Sequence, residues 1–502
     1  MTAAENFPPQ RNPKVVVIGA GMTGVLMTIK LREAGITDVT ILEKKDRLGG
    51  TWRENTYPGL ACDIPAHMYT YSFEPNPNWS HRFAHGPEIQ KYFEHVGRKY
   101  GVTDRISFNE AVTSSTYNDG KWTVTTSKGN TYIADFVINS TGILHHPAKP
   151  NIKGIESFEG KMFHTAEWDH SVSLKGKRVG IIGTGSTAAQ AIPEVAKEAG
   201  HFSIFQRTAQ WILPLGNKEF SEEFKQKLRD NPNRLRRLRS AYVWGLQHLM
   251  TKAVTGHQPQ RALFSAACKL NLRFSIKDKV LRKKLTPDYA VGCKRIIINK
   301  TFYDAVQRDN VELVTDGITE ITPKGIRTAD GKEHELDVLI LSTGFKPFNF
   351  MRPMDMRGKD GLHIDDAWSR KIQTYRSLFI PEFPNSFLML GPNTPIGNYS
   401  VIAMSEVQCG YILKVIKRWQ RGEFDAIEPK PEAVKAFNEY VKAGMANTVW
   451  VGGCKSWYLD DDGDPILWPY TWKQWEKEME EPEMGDFITE KFPTKIAEAT
   501  AA

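Results

Sequence analysis

Two glycine-rich turns, each lying between an apolar segment and a helix-period segment, most constrain what this chain can fold into. The first turn, Gly19-Ala-Gly21-Met-Thr-Gly24, follows the apolar residues 14–18 and opens a predicted helix that extends to about residue 34. A second predicted strand follows at residues 39–43. A G-x-G-x-x-G turn inside such a strand–helix–strand unit holds a pyrophosphate at the N-terminus of the helix. The pattern therefore predicts a dinucleotide-binding fold.

The same arrangement recurs further along the chain. A predicted strand at residues 178–182 leads into the turn Gly183-Thr184-Gly185-Ser186-Thr-Ala188, and another predicted strand lies at residues 202–206. Ala188 stands where the pattern allows alanine in place of the third glycine. Pro193 lies inside the second helix, where a proline removes a hydrogen bond and favours a kink, and nothing in the sequence explains it. Two such units predict two nucleotide sites in one chain.

The charged residue after each second strand distinguishes the two sites. Glu43 lies 24 residues after Gly19, and Arg207 lies 24 residues after Gly183. In this fold that position meets the ribose of the adenosine. A carboxylate accepts hydrogen bonds from ribose hydroxyls and repels a 2′-phosphate, whereas a guanidinium binds the 2′-phosphate of NADP. The first site is therefore predicted to bind FAD and the second site NADP(H).

The length of the chain and its order of elements predict the domain organisation. A chain of 502 residues exceeds the size of a single core, so two or three domains are expected. We predict an α/β fold with two Rossmann-like dinucleotide-binding domains and a helical insertion in the NADP domain. The predicted divisions are a first part of the FAD domain (1–142), a linker with a first part of the NADP domain (143–215), the helical insertion (216–291), a second part of the NADP domain (292–345) and a second part of the FAD domain (346–502).

Composition argues against several other classes of function. The net charge of +8 is modest and the basic run at residues 234–239 is typical of a solvated helix face, so no nucleic-acid partner is predicted. No apolar run approaches the roughly 18 residues of a membrane span, and the N-terminus has no apolar secretory stretch. Five scattered cysteines without a C-x-x-C pair are expected to be free thiols in the cytoplasm. The histidines lack nearby cysteines and carboxylates, so no metal is predicted.

Two longer motifs carry a resemblance to a known family. Phe158-Glu-Gly160-Lys-Met-Phe-His164-Thr-Ala-Glu-Trp168-Asp169 has the form F-x-G-x-x-x-H-x-x-x-W-D. Residues 49–63, GGTWRENTYPGLACD, fit [AG]-G-x-W-x-x-x-x-[FY]-P-[GM]-x-x-x-D at every fixed position. Both motifs resemble the fingerprints of the Baeyer–Villiger monooxygenases, flavoenzymes that insert one atom of O2 beside a ketone carbonyl. The resemblance extends over residues 14–475, and the Ser-Thr-Gly ends of residues 136–142 and 338–344 are similar to the family's crossings between its FAD and NADP domains.

The resemblance implies roles for particular residues. Arg295 would be the catalytic cation and Asp63 its orienting partner beside the flavin, while Trp457 would belong to a mobile loop that reaches NADP. His164 and Trp168 would couple the movements of the domains without touching substrate. The FAD site is assigned to Gly19, Gly21, Gly24, Glu43, Gly50, Thr51, Trp52, Asp63 and Tyr69, the NADP site to Gly183, Thr184, Gly185, Ser186, Arg207, Thr208, Lys294 and Trp457, and the family motif to Phe158, Gly160, His164, Trp168 and Asp169.

The implied reaction uses O2 and a small-molecule ketone. NADPH would reduce FAD, O2 would form a C4a-peroxyflavin, and this adduct would attack the ketone to give an ester or lactone, water and NADP+. Two alternatives stay open: a flavin monooxygenase that oxygenates nitrogen or sulfur compounds, and an NADPH oxidase or redox flavoprotein that only makes peroxide. A monomer or weak homo-oligomer without a membrane partner is expected.

Overall fold

The computed structural model describes residues 11–394, 399–452 and 458–493, and two parallel sheets form its framework. The first sheet has five strands, and every neighbouring pair is parallel. In spatial order its strands are Ser386–Leu388, Phe136–Asn139, Val15–Ile18, Val39–Leu42 and Ile106–Ser107. The C-terminal half of the chain thus contributes an edge strand to the sheet that holds the first glycine turn.

The second sheet also has five parallel strands. In spatial order they are Val311–Val314, His201–Phe205, Arg178–Ile182, Val338–Leu341 and Lys161–His164. Both sheets place a strand–turn–helix unit at the centre, because Val15–Ile18 and Arg178–Ile182 each lie third in their sheet. Dinucleotides bind at the carboxyl ends of such strands, so the order positions one cofactor site on each sheet.

Four smaller sheets complete the strands of the described chain. One has the order Asp355–Arg357, Val112–Asn118, Lys121–Thr126 and Thr131–Ala134, and another the order Ile318–Thr322, Gly325–Thr328 and Glu333–Glu335. Two-stranded pairs join Ile212–Leu213 to Ile297–Ile298 and Ala426–Pro429 to Phe487–Glu490.

Helices cover the faces of the sheets and form the segment that was predicted to be helical. Within residues 216–291 every regular element is a helix, namely Glu222–Asp230, Pro232–Gly245, the π-helical turn Leu246–Thr251, Lys252–Val254, Gln258–Ser275 and Lys279–Lys284. The α-helices elsewhere in the described residues are Met22–Glu33, Thr51–Glu54, Gly86–Lys99, Ser186–Glu198, Phe302–Ala305, Ile364–Ala367, Val401–Gln420, Pro431–Gly444 and Trp472–Glu478.

Each large sheet has its own hydrophobic core. The core beneath the first sheet includes Val17, Leu26 and Ile41 together with Ile412 of the long C-terminal helix. The core of the second sheet is built from Ile181, Ile192, Ile204 and other side chains of that sheet and its helices. Separate cores of this kind are characteristic of distinct domains. The exact domain boundaries given above remain a prediction.

Candidate active site

The first glycine turn leaves no room for side chains beside the helix Met22–Glu33. Gly19 has a φ of +99°, and a Cβ there would lie 2.7 Å from the carbonyl oxygen of Ser140. A Cβ at Gly24 would lie 1.9 Å from the carbonyl oxygen of Gly19. These glycines let the turn pack tightly between the strand and the helix, which aims the free amides at the helix N-terminus toward a ligand.

Two further glycines, Gly49 and Gly50, form a short turn that packs against the first glycine turn. Gly50 has a φ of +54°, and a Cβ there would lie 3.1 Å from the Cα of Gly21. The short helix Thr51–Glu54 begins at the next residue. The two turns therefore form one backbone surface that can follow a pyrophosphate closely.

Glu43 lies at the carboxyl end of the neighbouring strand and is buried. Its Oε2 accepts a hydrogen bond of 2.8 Å from the N–H of Ala20, and its Oε1 accepts one of 2.9 Å from the N–H of Lys45. Each carboxylate oxygen retains acceptor capacity after these bonds. The side chain is thus held against the first turn, in the position expected for the ribose of FAD.

The second glycine turn repeats the close packing of the first. Gly183 has a φ of +109°, and a Cβ there would lie 2.4 Å from the carbonyl oxygen of Ser342. A Cβ at Gly185 would meet nothing within 4 Å, so this glycine leaves open space where a ligand could approach. The hydroxyl of Thr184 donates to the carbonyl of Thr208 at 3.1 Å, and the helix begins at Ser186. The turn and the segment after the second strand are therefore joined directly.

Two cations lie together beside this second turn. Arg207 is exposed, and Lys294 lies with its Nζ 4.8 Å from the centroid of the Tyr289 ring. Burial lowers the pKa of Lys294, and the positive charge of Arg207 lowers it further. Neighbouring like charges of this kind are stabilised by an anion that neutralises both. The pair fits the 2′-phosphate of NADP.

Asp63 and Arg295 form an ion pair, although 232 positions separate them in the chain. The Nε of Arg295 donates to Oδ2 of Asp63 at 2.9 Å, and Nη2 donates to Oδ1 at 2.6 Å. The side chain of Asp63 is 21% exposed and that of Arg295 is 35% exposed, so the pair is only partly shielded from solvent. The Asp63 carboxylate raises the pKa of Arg295, and burial opposes the shift. The guanidinium therefore stays protonated at every working pH.

Aromatic and thiol side chains lie near Asp63, whose charge acts on both Tyr69 and Cys62. The Nε1 of Trp52 donates to the hydroxyl of Tyr69 at 3.0 Å, and their rings meet edge to face. Burial raises the pKa of Tyr69 and of the Cys62 thiol, so both groups stay neutral. Neither Tyr69 nor Cys62 therefore adds a charge beside Asp63.

The Phe158–Asp169 motif forms an edge strand and a contact between the two halves of the molecule. Gly160 has no space for a side chain, because a Cβ would lie 2.7 Å from the carbonyl oxygen of Asp337. His164 is buried at the end of the edge strand, its Nδ1 accepts from the N–H of Ala166, and burial lowers its pKa. Asp169 accepts hydrogen bonds from the N–H and hydroxyl of Ser171, which lower the pKa of the carboxyl.

Trp168 joins the motif to the first nucleotide site. It packs on a small cluster that includes Tyr57, Leu60 and Trp52 from the first motif and Ala191 from the helix after the second turn. Phe158 instead packs in a satellite core of the second sheet. The motif therefore contacts both the first motif and the second sheet, and it contributes no side chain to the Asp63–Arg295 ion pair. Its coupling role stays a prediction.

Two residues that contact the segments carrying the ion pair, Gln190 and Asn299, were not predicted from the sequence. Gln190 bonds the backbone at Ala61, and Asn299 bonds the backbone at Ala189. The one available signal was Pro193, whose missing N–H implies a carbonyl that needs another donor. Trp457 lies outside the described residues.

Several other expectations can be compared with the described residues. Cys62, Cys268 and Cys409 are free and buried, whereas Cys293 is disulfide-bonded; the expectation of free thiols is therefore wrong at Cys293. In the part of the chain that the structure describes, no group of three or more potential ligand side chains could hold a metal ion. No helix in that part is long and apolar enough to cross a membrane. The cytoplasmic location and the oligomeric state stay predictions.

A cavity of about 560 Å³ lies apart from the ion pair. Apolar side chains such as Phe348, Phe350 and Trp368 line it together with the hairpin around Asp460–Ile466. Neither Asp63 nor Arg295 borders it. We assign no role to this cavity.

The fold and the two glycine turns define a two-nucleotide flavoprotein, and comparison with known proteins gives its family. The model of the flavin-binding monooxygenase-like family matches residues 12–424, and the chain belongs to this family.

Particular relatives are similar over nearly the whole chain. An uncharacterized monooxygenase of Mycobacterium tuberculosis is 47% identical over 462 residues, 92% of each chain. A Baeyer-Villiger monooxygenase of Pseudomonas aeruginosa is 38% identical over 472 residues, 92% of this chain and 89% of that protein. The crystal structure of OTEMO in complex with FAD and NADP matches with a TM-score of 0.85 at 29% identity, over 95% of this chain and 100% of that chain. The predicted family resemblance and the α/β fold with two Rossmann-like domains are confirmed.

Proposed function

We propose that this flavin-dependent monooxygenase is a Baeyer–Villiger monooxygenase that converts a ketone, NADPH, a proton and O2 into an ester or lactone, NADP+ and water. The observation that carries the proposal is the bidentate ion pair of Asp63 and Arg295. A ketone oxygenation needs a permanent positive charge that stabilises an oxygen anion without donating a proton to it.

FAD and NADP(H) are the cofactors, and the residues present fit both. Reduced FAD supplies the activation of O2 when it is bound. The backbone surface formed by Gly21 and Gly50, with Glu43 at its end, accommodates a dinucleotide that has free ribose hydroxyls. Arg207 and Lys294 provide the two positive charges that a 2′-phosphate requires. The protein should therefore use NADPH in preference to NADH.

Arg295 acts as the catalytic cation in this proposal. Its pKa is raised by the neighbouring carboxylate, so it cannot quench an anionic oxygen as a general acid would. It is preorganised, because both of its hydrogen bonds to Asp63 hold the plane of the guanidinium before substrate arrives. Such fixed donors stabilise negative charge that develops on oxygen in the transition state. The same charge serves the tetrahedral adduct formed on the ketone carbonyl.

Asp63 orients Arg295 and compensates its charge. Removing one partner of a partly buried ion pair leaves the other uncompensated, so both side chains are needed together. Burial raises the pKa of both Cys62 and Tyr69, so neither side chain is an effective proton donor beside the pair. His164, Trp168 and Asp169 hold the junction between the sheets and act through the relative placement of the two cofactor sites.

A panel of ketones tests the proposed reaction. NADPH consumption is measured with cyclic, linear, aromatic and steroidal ketones, and products are identified by mass as ketone plus one oxygen atom. A sulfide and a tertiary amine serve as comparison substrates, and hydrogen peroxide is measured in each reaction. We expect ester or lactone from at least one ketone class. Oxygenation of the sulfide and amine alone, or peroxide in place of every organic product, would instead support the alternatives.

A further inference from the structure

Pro193 leaves one carbonyl of the helix Ser186–Glu198 without its usual intrahelical donor. Proline has no N–H, so the carbonyl of Ala189, four residues earlier, cannot accept the normal helix bond. The side chain of Asn299 replaces that donor, with its Nδ2 2.9 Å from the Ala189 oxygen. The Oδ1 of the same amide accepts from the N–H of Thr301 at 2.7 Å. The helix continues through Pro193. The carbonyl that the proline leaves free binds Asn299, which belongs to the segment that follows Arg295.

Gln190, the next residue of the helix, binds the segment that precedes Asp63. Its Nε2 donates to the carbonyl of Ala61 at 2.9 Å, and its Oε1 accepts from the hydroxyl of Tyr57 at 2.9 Å. The N–H of Ala61 makes a longer bond of 3.4 Å to the same oxygen. Gly59 completes the contact, since a Cβ there would lie 2.4 Å from the backbone oxygen of Gln190. The helix is thus hydrogen-bonded to, and closely packed against, the loop that precedes Asp63.

These contacts connect one helix to both segments that carry the ion pair. Ala61 lies two residues before Asp63, and Asn299 lies four residues after Arg295. Two adjacent helix residues, Ala189 and Gln190, therefore contact the two segments that carry the partners of the pair. The same helix begins at Ser186, within the second glycine turn.

We propose that Gln190 is a positioning residue, which, with the Asn299–Ala189 bond, sets the placement of Asp63 against Arg295 and links it to occupancy of the second nucleotide site. The inference rests on the proposed function, because it assigns the distance between these two side chains a role in oxygenation. A bidentate ion pair tolerates little displacement, and a shift of about 1 Å in a catalytic group can cost on the order of a hundredfold in rate. Pro193 is then a requirement of the site, since it frees the carbonyl that Asn299 uses.

Two variants remove the contacts with little change in volume. Gln190→Met keeps the length of the side chain but loses the bonds to Ala61 and Tyr57. Asn299→Asp keeps an oxygen for the N–H of Thr301 but cannot donate to Ala189. Gln190→Glu restores the acceptor contacts alone. Lys197→Met is the matched control, because Lys197 lies on the exposed face of the same helix and pairs only with Glu194 among the described residues.

The first measurement compares ester formed per NADPH consumed with the rate of FAD reduction by NADPH. In Gln190→Met and Asn299→Asp we expect reduction within about twofold of the wild-type rate and at least a fivefold fall in ester per NADPH, with the oxygen released as hydrogen peroxide. Gln190→Glu should recover part of the ratio, and Lys197→Met should match the wild type. A lower melting temperature with an unchanged ratio would overturn the proposal, because it indicates a purely structural contact.

The second measurement does not depend on any ketone. Hydrogen–deuterium exchange of the FAD-loaded protein, with and without NADP+, reports protection of the amides at residues 57–63. NADP+ should slow their exchange in the wild type and in Lys197→Met but not in Gln190→Met. Equal protection in Gln190→Met would contradict the link to nucleotide occupancy. If no ketone is oxygenated by the wild type, the proposed function fails, while this exchange result still decides whether Gln190 connects the two sites.

Discussion

At the scale of single residues, we expect the charges beside the second glycine turn to decide which nicotinamide cofactor binds and at which pH. Lys294 is half-buried near Arg207, and both burial and that neighbouring charge lower its pKa. A 2′-phosphate bound beside Lys294, as we propose, would favour the charged lysine and raise its pKa again. Affinity for NADP+ is therefore full below the lowered pKa of the free protein and falls as pH rises through it.

This dependence gives a prediction for Lys294. Between pH 7 and pH 10, NADP+ affinity should fall in the wild type and stay nearly constant in Lys294→Arg, whose guanidinium remains charged. Lys294→Met should bind NADP+ at least tenfold more weakly at pH 7, which corresponds to about 1.4 kcal/mol for a lost charge-assisted contact. Isothermal titration calorimetry at each pH measures the affinities, with NAD+ as the control. A wild-type affinity that is flat across this range, or an equal loss for NAD+, would contradict the assignment.

At the scale of secondary-structure elements, the packing of the first strand, turn and helix depends on the absence of side chains. A Cβ at Gly24 would lie 1.9 Å from the backbone oxygen of Gly19, which cannot move without moving the strand Val15–Ile18. Gly410 is also helical, but a Cβ there meets nothing within 4 Å. The two glycines thus differ in environment while sharing helical geometry.

Alanine substitution at the two positions should have opposite effects. Gly24→Ala should lose most of the bound FAD, because the turn must open and the helix N-terminus then moves away from the pyrophosphate. Gly410→Ala should keep full FAD content and gain up to about 1 kcal/mol of stability from helix propensity. The absorbance ratio of flavin to protein and the unfolding free energy measure both. Normal FAD content in Gly24→Ala would show that the turn does not hold the cofactor.

At the scale of the whole molecule, local elements followed from the sequence while the connections between them did not. The predicted strand at residues 178–182 matches Arg178–Ile182, and that at residues 202–206 is His201–Phe205, because apolar runs beside glycine turns report local structure. The contact of Asp63 with Arg295 came only from the family resemblance, since no periodicity relates positions so far apart. The bond from Asn299 to Ala189 was missed for the same reason, although Pro193 marked its place.

The buried histidine of the Asp63 loop predicts how the whole protein responds to acid. His67 is buried against the rings of Phe220 and Phe224, and burial lowers its pKa to about 4. The unfolded chain takes up this proton near pH 6.5. Its contribution to stability is therefore complete above pH 6.5 and is lost as the pH falls toward 4, by about 2 kcal/mol at pH 5.

Replacement by phenylalanine removes the titrating group. The free energy of unfolding of His67→Phe should fall less between pH 8 and pH 5 than that of the wild type. The substitution breaks no hydrogen bond, because neither ring nitrogen of His67 has a partner among the described residues. Urea unfolding at the two pH values measures this difference, with the exposed His257→Phe as control. An identical pH dependence in wild type and His67→Phe would show that another group causes the acid sensitivity.

The most direct test of the whole account compares Arg295→Ala with the wild type on a ketone that the wild type oxygenates. Ester and hydrogen peroxide are measured per NADPH consumed, together with the rate of FAD reduction. Loss of one preorganised donor costs about 3–4 kcal/mol, so ester formation should fall by roughly a hundredfold or more while NADPH still reduces FAD. Undiminished ester formation in Arg295→Ala would contradict the account.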